Sequence, residues 1–187
     1  MDGLPIDEVE IIASLPVERW TEFRDLRLRA LQSEPAAFAQ PYVAACDYPD
    51  SLWQSRLQDV HDGLSWIAFA DRAGTLVGMI GAFQSDEDRE RRNATVWGFF
   101  VDEHERGQGI GNALLTALRG QLAATGILTA TLTVNREQAA AIHLYEQHGF
   151  RIVSHEIALL GDGEEHDELI MECLTARQTH PDLNCLN

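Results

Sequence analysis

The stretch Val101-Asp102-Glu103-His104-Glu105-Arg106-Gly107-Gln108-Gly109-Ile110-Gly111-Asn112 decides how this chain folds. Before it, Ala94 to Val101 is almost wholly apolar. A run of that kind predicts a strand buried on both faces. After it, Leu114, Leu115, Leu118 and Leu122 recur at helical spacing, which predicts a helix from Ile110 to about Thr125. Gly126 is placed to close that helix. A strand therefore enters a glycine-rich turn that opens a helix. The first helical N–H groups have no partner within the helix, and the helix dipole favours negative charge beside them. Glycines let a ligand approach that backbone closely, so the turn is a candidate pyrophosphate cradle with Arg106 as a cation at its rim. A helix start with permissive turn glycines would use the same residues.

Two glycine-loop chemistries are excluded. A Walker-A loop needs a lysine, and this chain has none: all 14 of its basic residues are arginine. The same absence excludes Schiff-base and Ser-Lys chemistry. The glycines at 107, 109 and 111 fall as G-x-G-x-G, and no acid ends the next strand at Val134-Asn135. A Rossmann dinucleotide site needs G-x-G-x-x-G and that acid.

Outward from this stretch the elements alternate. Val9 to Leu15 predicts a strand, and Val17 to about Gln32 a helix broken by Pro35 and Pro41. A second helix begins near Asp50 or Ser51, with Leu52, Trp53, Leu57 and Val60 on its apolar face. Leu64 to Ala70 and Thr75 to Phe83 predict a hairpin around Arg72-Ala73-Gly74. Ser85 to Asn93 is a charged connection. Beyond Gly126, Ile127 to Val134 predicts a strand and Gln138 to His148 a helix closed by Gly149. Arg151 to Leu160 and Asp167 to Leu174 predict a final hairpin with an acidic tip, and both Asp162-Gly163-Glu164-Glu165 and His166-Asp167-Glu168 read as that solvated tip, without zinc or EF-hand spacing. The order β-α-α-β-β-β-α-β-α-β-β implies an α/β (α+β) fold with a mixed sheet of about seven strands and about four helices. Residues 1–175 form one domain in this reading, and 176–187 a C-terminal tail.

Composition narrows the partners. With 187 residues and 45% apolar content, one domain with a sizeable core is expected. The net charge of −16 argues against nucleic acid or an anionic membrane as partner, because both need excess cations. Three cysteines fit neither a disulfide framework nor a zinc site, and no metal is expected. No run of about 18 apolar residues or signal-peptide pattern is present, so a cytoplasmic setting is expected.

Two blocks together carry a resemblance to a known family. Arg106, Gly109 and Gly111 meet the pattern Arg/Gln-x-x-Gly-x-Gly/Ala. Tyr145, Gly149 and Phe150 meet the end of a second pattern, N-x-x-A-x-x-x-Y-x-x-x-G-F, with Asn135 three residues ahead of its asparagine position, where Gln138 stands. In both blocks and in element order the chain resembles the GNAT superfamily of acyl-CoA-dependent N-acyltransferases, most closely over about Thr75 to Val153. The resemblance implies a mostly antiparallel sheet with a splayed central strand pair. It implies acetyl-CoA as co-substrate and a primary amine as acceptor, in a monomer or homodimer. Arg106, Gly107, Gln108, Gly109, Ile110, Gly111 and Asn112 would hold the CoA pyrophosphate. The backbone of Phe99, Phe100 and Val101 would pair with the pantetheine arm, and a backbone N–H near Val101 would face the oxyanion. Gly98 fits a bulge on that strand. Asn135 would lie near the pantetheine, although Asn135 to Gln138 also reads as a capping box. Tyr145 would be the general acid, since a phenol with a pKa near 10 can donate at neutral pH.

One departure matters. Many family members carry a catalytic carboxylate on the strand before the loop, and Thr95 to Val101 has none. Glu34, Asp86, His143 or a water relay remain as the base. The missing acid also permits an acyl-CoA-binding regulatory or partner protein without catalysis. The acidic surface favours a small cationic or peptide amine as acceptor, entering over the first helices and the segment from Gln32 to Tyr48. The Arg89, Arg91 and Arg92 group is a solvated loop or a rim for the CoA 3′-phosphate.

Overall fold

Seven strands pair into one sheet in the order β1-β2-β3-β4-β5-β7-β6. They are β1 (Val9–Ile12), β2 (Ser65–Arg72), β3 (Thr75–Phe83), β4 (Asn93–Val101), β5 (Thr129–Asn135), β6 (Arg151–Leu159) and β7 (Glu165–Leu174). Five helices are present among the described residues: α1 (Trp20–Ser33), α2 (Tyr42–Cys46), α3 (Asp50–His61), α4 (Ile110–Ala124) and α5 (Ala139–Gln147). The computed structural model describes residues 9–61, 65–85, 88 and 92–175. The expected tail at 176–187, Asp86, Arg89 and Arg91 lie outside the described residues. No helix among the described residues is long and apolar enough to cross a membrane.

The helix count exceeds the expected four by α2, a short helix inside the segment from Gln32 to Tyr48. Its apolar Tyr42 and Ala45 pack onto the α1–α3 core, which draws that stretch into helical form. α1 and α3 cover one sheet face, where Phe23, Leu26, Trp53 and Leu57 meet Ile67, Phe69 and Met79. α4 and α5 cover the other, where Leu114, Leu115 and Leu118 meet Ala68, Ala70 and Ile80.

Every strand pair is antiparallel except β4 and β5. Those two are parallel and pair only at Asn93 with Thr129, Ala94 with Ala130, and Thr95 with Thr131. Asn93 fastens this closed end, because its Oδ1 accepts from Thr129 Oγ1 at 3.0 Å and Thr131 Oγ1 at 3.1 Å. Past Thr95 the two strands separate. The expected splayed pair is therefore present, and the sheet opens in its middle.

β4 departs from the expectation that both its faces are buried. Its exposure alternates along the whole strand, and every residue from Thr95 to Val101 borders the opening. The apolar run reflects a strand that lines a cleft. Gly98 does form the expected bulge. Gly81 pairs with Trp97 and Met79 with Phe100, so β4 carries one extra residue there. Gly98 has φ +67°, a left-handed conformation that costs a residue with a Cβ about 1–2 kcal/mol. The extra residue breaks the strict alternation of side-chain direction. Trp97 and Phe100 pack toward α1, while the intervening Phe99 packs toward α4 and α5.

Candidate active site

The separation of β4 from β5 leaves a cleft of about 940 Å³. Its walls are β4 from Thr95 to Val101 and β5 from Leu132 to Val134. The glycine turn, the N-terminus of α4, Arg27 and Glu34 from α1 and its end, and the segment Ala37 to Gln40 also line it. β4 has no strand partner on its β5 side after Thr95, so its main chain is available to an added extended ligand.

The glycine-turn end suits an anion. Gly109 caps α4 in a left-handed conformation without a side-chain hydrogen bond. The first helical bond runs from Ala113 N to Gly109 O, at 3.0 Å. The amides of Ile110, Gly111 and Asn112 therefore sit in the unpaired first turn of a 15-residue helix. A Cβ on Gly111 would lie 3.1 Å from both Leu144 and Phe99, so a side chain there would press on the cleft wall. Arg106 donates from Nε to Val101 O at 3.0 Å and from Nη2 to Glu34 Oε1 at 2.7 Å. It thereby ties the turn to β4 and to the end of α1. The Asn112 side chain borders the cleft and is engaged by His148 Nε2 at 2.8 Å from its Oδ1.

Tyr145 is placed by a local sequence device. Gly149 at φ +84° ends α5, with Gly149 N donating to Glu146 O and Phe150 N donating to Tyr145 O. This is a left-handed helix stop in which the residue after the glycine returns onto the last turn. It brings the Phe150 ring to 5.7 Å from the Tyr145 ring, and Phe99 flanks Tyr145 at 5.7 Å. Tyr145 borders the cleft at 6% exposure, and its hydroxyl makes no hydrogen bond among the described residues. Burial raises its pKa, so it stays protonated at neutral pH.

Ten of the twelve expected ligand-side residues border the cleft: Phe99, Phe100, Val101, Arg106, Gly107, Gly109, Ile110, Gly111, Asn112 and Tyr145. Gln108 points elsewhere, with Nε2 toward Glu105 and Oε1 accepting from Arg72. Asn135 is buried at 3% exposure but is absent from the lining. Its Nδ2 donates to Ala36 O at 3.0 Å, which holds the Pro35–Ala37 turn against β5. The capping box does not form. Asn135 Oδ1 accepts from Glu137 N at 3.0 Å, and α5 begins without a side-chain cap. The tertiary bond to Ala36 orients the Asn135 side chain and leaves only a local turn to its oxygen.

Of the expected bases, Glu34 borders the cleft but is paired with Arg106. His143 is exposed, contacts Gln147 and is not in the lining. Arg92 precedes β4, roughly 30 Å along the strand from its far end at Val101 at 3.3 Å per residue. It therefore does not join the pyrophosphate end.

Sequence reasoning passed over Arg27 and read Glu168 as part of a solvated hairpin tip, whereas pairing between β5 and β6 buries it. Glu168 on β7 pairs in register with Asn135 and with Glu156, borders the cleft and is 7% exposed. Desolvation raises its pKa, the nearby Glu156 adds to that, and His166 opposes it. Arg27 on α1 is 5% exposed and also borders the cleft. Burial pushes its pKa down to about 10, reinforced by the nearby Arg56 cation. No group of three His, Cys, Asp or Glu side chains that could hold a metal occurs among the described residues.

The comparisons fall on the same region. The sequence model of the acetyltransferase (GNAT) family matches residues 20–150. The chain is 36% identical over 101 residues to a mycothiol acetyltransferase from Propionibacterium freudenreichii, covering 54% of this chain and 32% of that protein. It is 37% identical over 136 residues to a mycothiol acetyltransferase from Thermobispora bispora, covering 67% of this chain and 46% of that protein. The chain thus spans less than half the length of these two curated relatives. Among solved structures, the spermidine N-acetyltransferase of Vibrio cholerae in complex with CoA and spermine superposes with a TM-score of 0.71 at 18% identity. That match covers 89% of this chain and 95% of the other, and at this identity it speaks for the fold alone.

Proposed function

Since the chain belongs to the GNAT acetyltransferase family, we propose that it is an N-acetyltransferase that transfers an acetyl group from acetyl-CoA to a primary amine by direct attack. One observation carries the reading. β4 and β5 part after Thr95, and the opened stretch of β4 runs to Val101 and the glycine turn that leads into the unpaired first turn of α4. A strand edge for an extended arm and amides for a pyrophosphate then lie on one cleft.

The residues present fit that co-substrate. The amides of Ile110 to Asn112 offer donors to phosphate oxygens. Arg106 holds the turn in place and adds positive charge. The β4 main chain beyond Thr95 can pair with an amide-bearing arm as an added strand, and its N–H groups near Val101 can face the developing oxyanion. Acetyl-CoA supplies an activated acetyl thioester. Asn135 acts as a brace for the Pro35–Ala37 turn.

Two proton transfers remain. The acceptor amine must lose a proton, and we assign that role to Glu168. It borders the cleft, is buried and has a raised pKa, which makes it a stronger base than an exposed carboxylate. Tyr145 supplies the proton to the leaving sulfur from its unbonded hydroxyl. A catalytic carboxylate on β7 answers the lack of one on β4, the lack on which the non-catalytic reading rested.

The test is a thiol-release assay with acetyl-CoA across a panel of primary amines. CoA release that depends on an amine, with the amine recovered heavier by one acetyl group, supports the reading. Tight acetyl-CoA binding with no amine-dependent release would point instead to an acyl-CoA-binding regulatory protein.

A further inference from the structure

Arg27 and Gln40 are unlike the other polar residues of the cleft. Arg27 Nη2 donates to Gln40 Oε1 at 3.2 Å, which orients the amide nitrogen of Gln40 away from the guanidinium. Three buried nitrogens then have no partner: Arg27 Nε, Arg27 Nη1 and Gln40 Nε2. Leaving one such donor unpaired costs about 1–3 kcal/mol, and more for a charged group. Arg27 is 95% buried and forms no ion pair among the described residues. The charged neighbour that most perturbs it is another cation, Arg56.

The position is as telling as the chemistry. A Cβ built on Gly98 would lie 3.7 Å from Arg27 Nη1, so the guanidinium sits over the bulge at the cleft wall. Its Cζ lies 4.5 Å from the Phe38 ring centre and 5.7 Å from that of Trp97. Both aromatics hold it in one orientation. This lies on the α1 face of the sheet, whereas the anion-binding first turn of α4 lies on the other. In a chain with net charge −16, acidic partners for a buried arginine are abundant, yet none is used here.

We propose that Arg27 and Gln40 form a carboxylate subsite, and that the acceptor is an amine that also bears a carboxylate, of the free amino-acid class. This deepens the acetyltransferase reading and rests on it for the identity of the reacting group. A guanidinium fork, formed by an unpartnered nitrogen of Arg27 with the remaining N–H of Nη2, matches a carboxylate in two parallel charge-assisted bonds, and the Gln40 amide adds a third donor. Glu168, on the same sheet face, takes the ammonium end of the same molecule. The acidic surface and the buried cation then serve the two charges of one zwitterion, where a polyamine would leave Arg27 unanswered.

The experiment measures binding first, so that it does not depend on turnover. The CoA-loaded protein is titrated calorimetrically with N-acetylated small, aliphatic and aromatic amino acids and with their carboxamides. The best acid is expected to bind at least about tenfold tighter than its amide. Arg27→Met should abolish that preference while leaving acetyl-CoA affinity unchanged. Gln40→Leu should reduce it severalfold, and it decides the matter should Arg27→Met not fold. Acids and amides binding within threefold of each other, neither series binding at millimolar concentration, or a folded Arg27→Met that keeps the preference would each overturn the proposal. Thiol release is scored separately with the free amino acids and their amides. Failure of every amine removes the acetyltransferase reading and leaves the carboxylate preference measurable. Efficient release with spermine and no preference for acids removes the subsite alone.

Discussion

Replacing Gly98 by alanine tests whether the bulge is built on glycine. Gly98 has φ +67°, which costs an alanine about 1–2 kcal/mol. The new Cβ would lie 3.3 Å from Met79 Cε, the free end of a flexible side chain, so crowding adds little. The strand could escape the strain only by losing the bulge. That slip would swing Phe99 away from Tyr145, 5.7 Å between ring centres, and displace Phe100 from the α1 core. Each misplaced aromatic forfeits about 1.5–3 kcal/mol of burial, more than the strain itself. The bulge should therefore persist and the cost appear as lost stability. At about 2–4 °C per kcal/mol for a domain of this size, Gly98→Ala should lower Tm by about 2–8 °C. Acetyl-CoA affinity should stay within threefold. Gly120→Ala is the control. Gly120 lies within α4 with nothing inside 4 Å of a Cβ, and alanine there should raise Tm by about 1–4 °C. Thermal unfolding and calorimetry read both. A Gly98→Ala protein as stable as the parent, or one that keeps its Tm and loses acetyl-CoA, would refute the reasoning.

Three further substitutions probe the site. Tyr145→Phe should lower turnover by roughly 10²–10⁴-fold with acetyl-CoA affinity intact, and unchanged turnover removes the general-acid role. Glu168→Gln should lower kcat/KM and erase its acid limb. Because burial raises the Glu168 pKa, activity in the parent should fall as pH drops through a value above the ordinary carboxylate range. The sign for stability is opposite. The Glu168 contribution is complete below its unfolded pKa of about 4.3 and is lost as pH rises through the raised folded value. Glu168→Gln should therefore be the more stable protein at neutral pH, and chemical denaturation at pH 4 and pH 8 checks this. Arg106→Gln breaks the bonds to Val101 O and Glu34, so acetyl-CoA should bind about tenfold more weakly. The exposed pair itself is worth only about 0–1 kcal/mol, so Tm should fall by no more than about 4 °C.

The strand–turn–helix stretch was legible because each part is local. Leucine spacing, a glycine run and the helix-closing Gly149 act within a few residues of themselves, and Gly98 announced its bulge in the same way. β4 misled because Trp97, Phe99 and Val101 are apolar whether they face a core or a cleft. The capping box at Asn135 failed because α5 begins only at Ala139, with Gln138 at its N-cap, and Asn135 is instead tied to Ala36, 99 residues away. Glu168 and Arg27 were invisible for the same reason. Nothing near them in sequence marks a carboxylate on the last hairpin or an arginine on the first helix. Only the sheet topology brings them to one cleft.

Amide hydrogen exchange with and without acetyl-CoA tests the central claim most directly. Bound acetyl-CoA should slow exchange on β4 from Trp97 to Val101, on the turn from Gly107 to Asn112 and on β5 from Leu132 to Val134. The edge strand β6, from Arg151 to Leu159, should be unchanged. Protection confined to other segments, or none at saturating acetyl-CoA, would contradict a co-substrate seated between the parted strands.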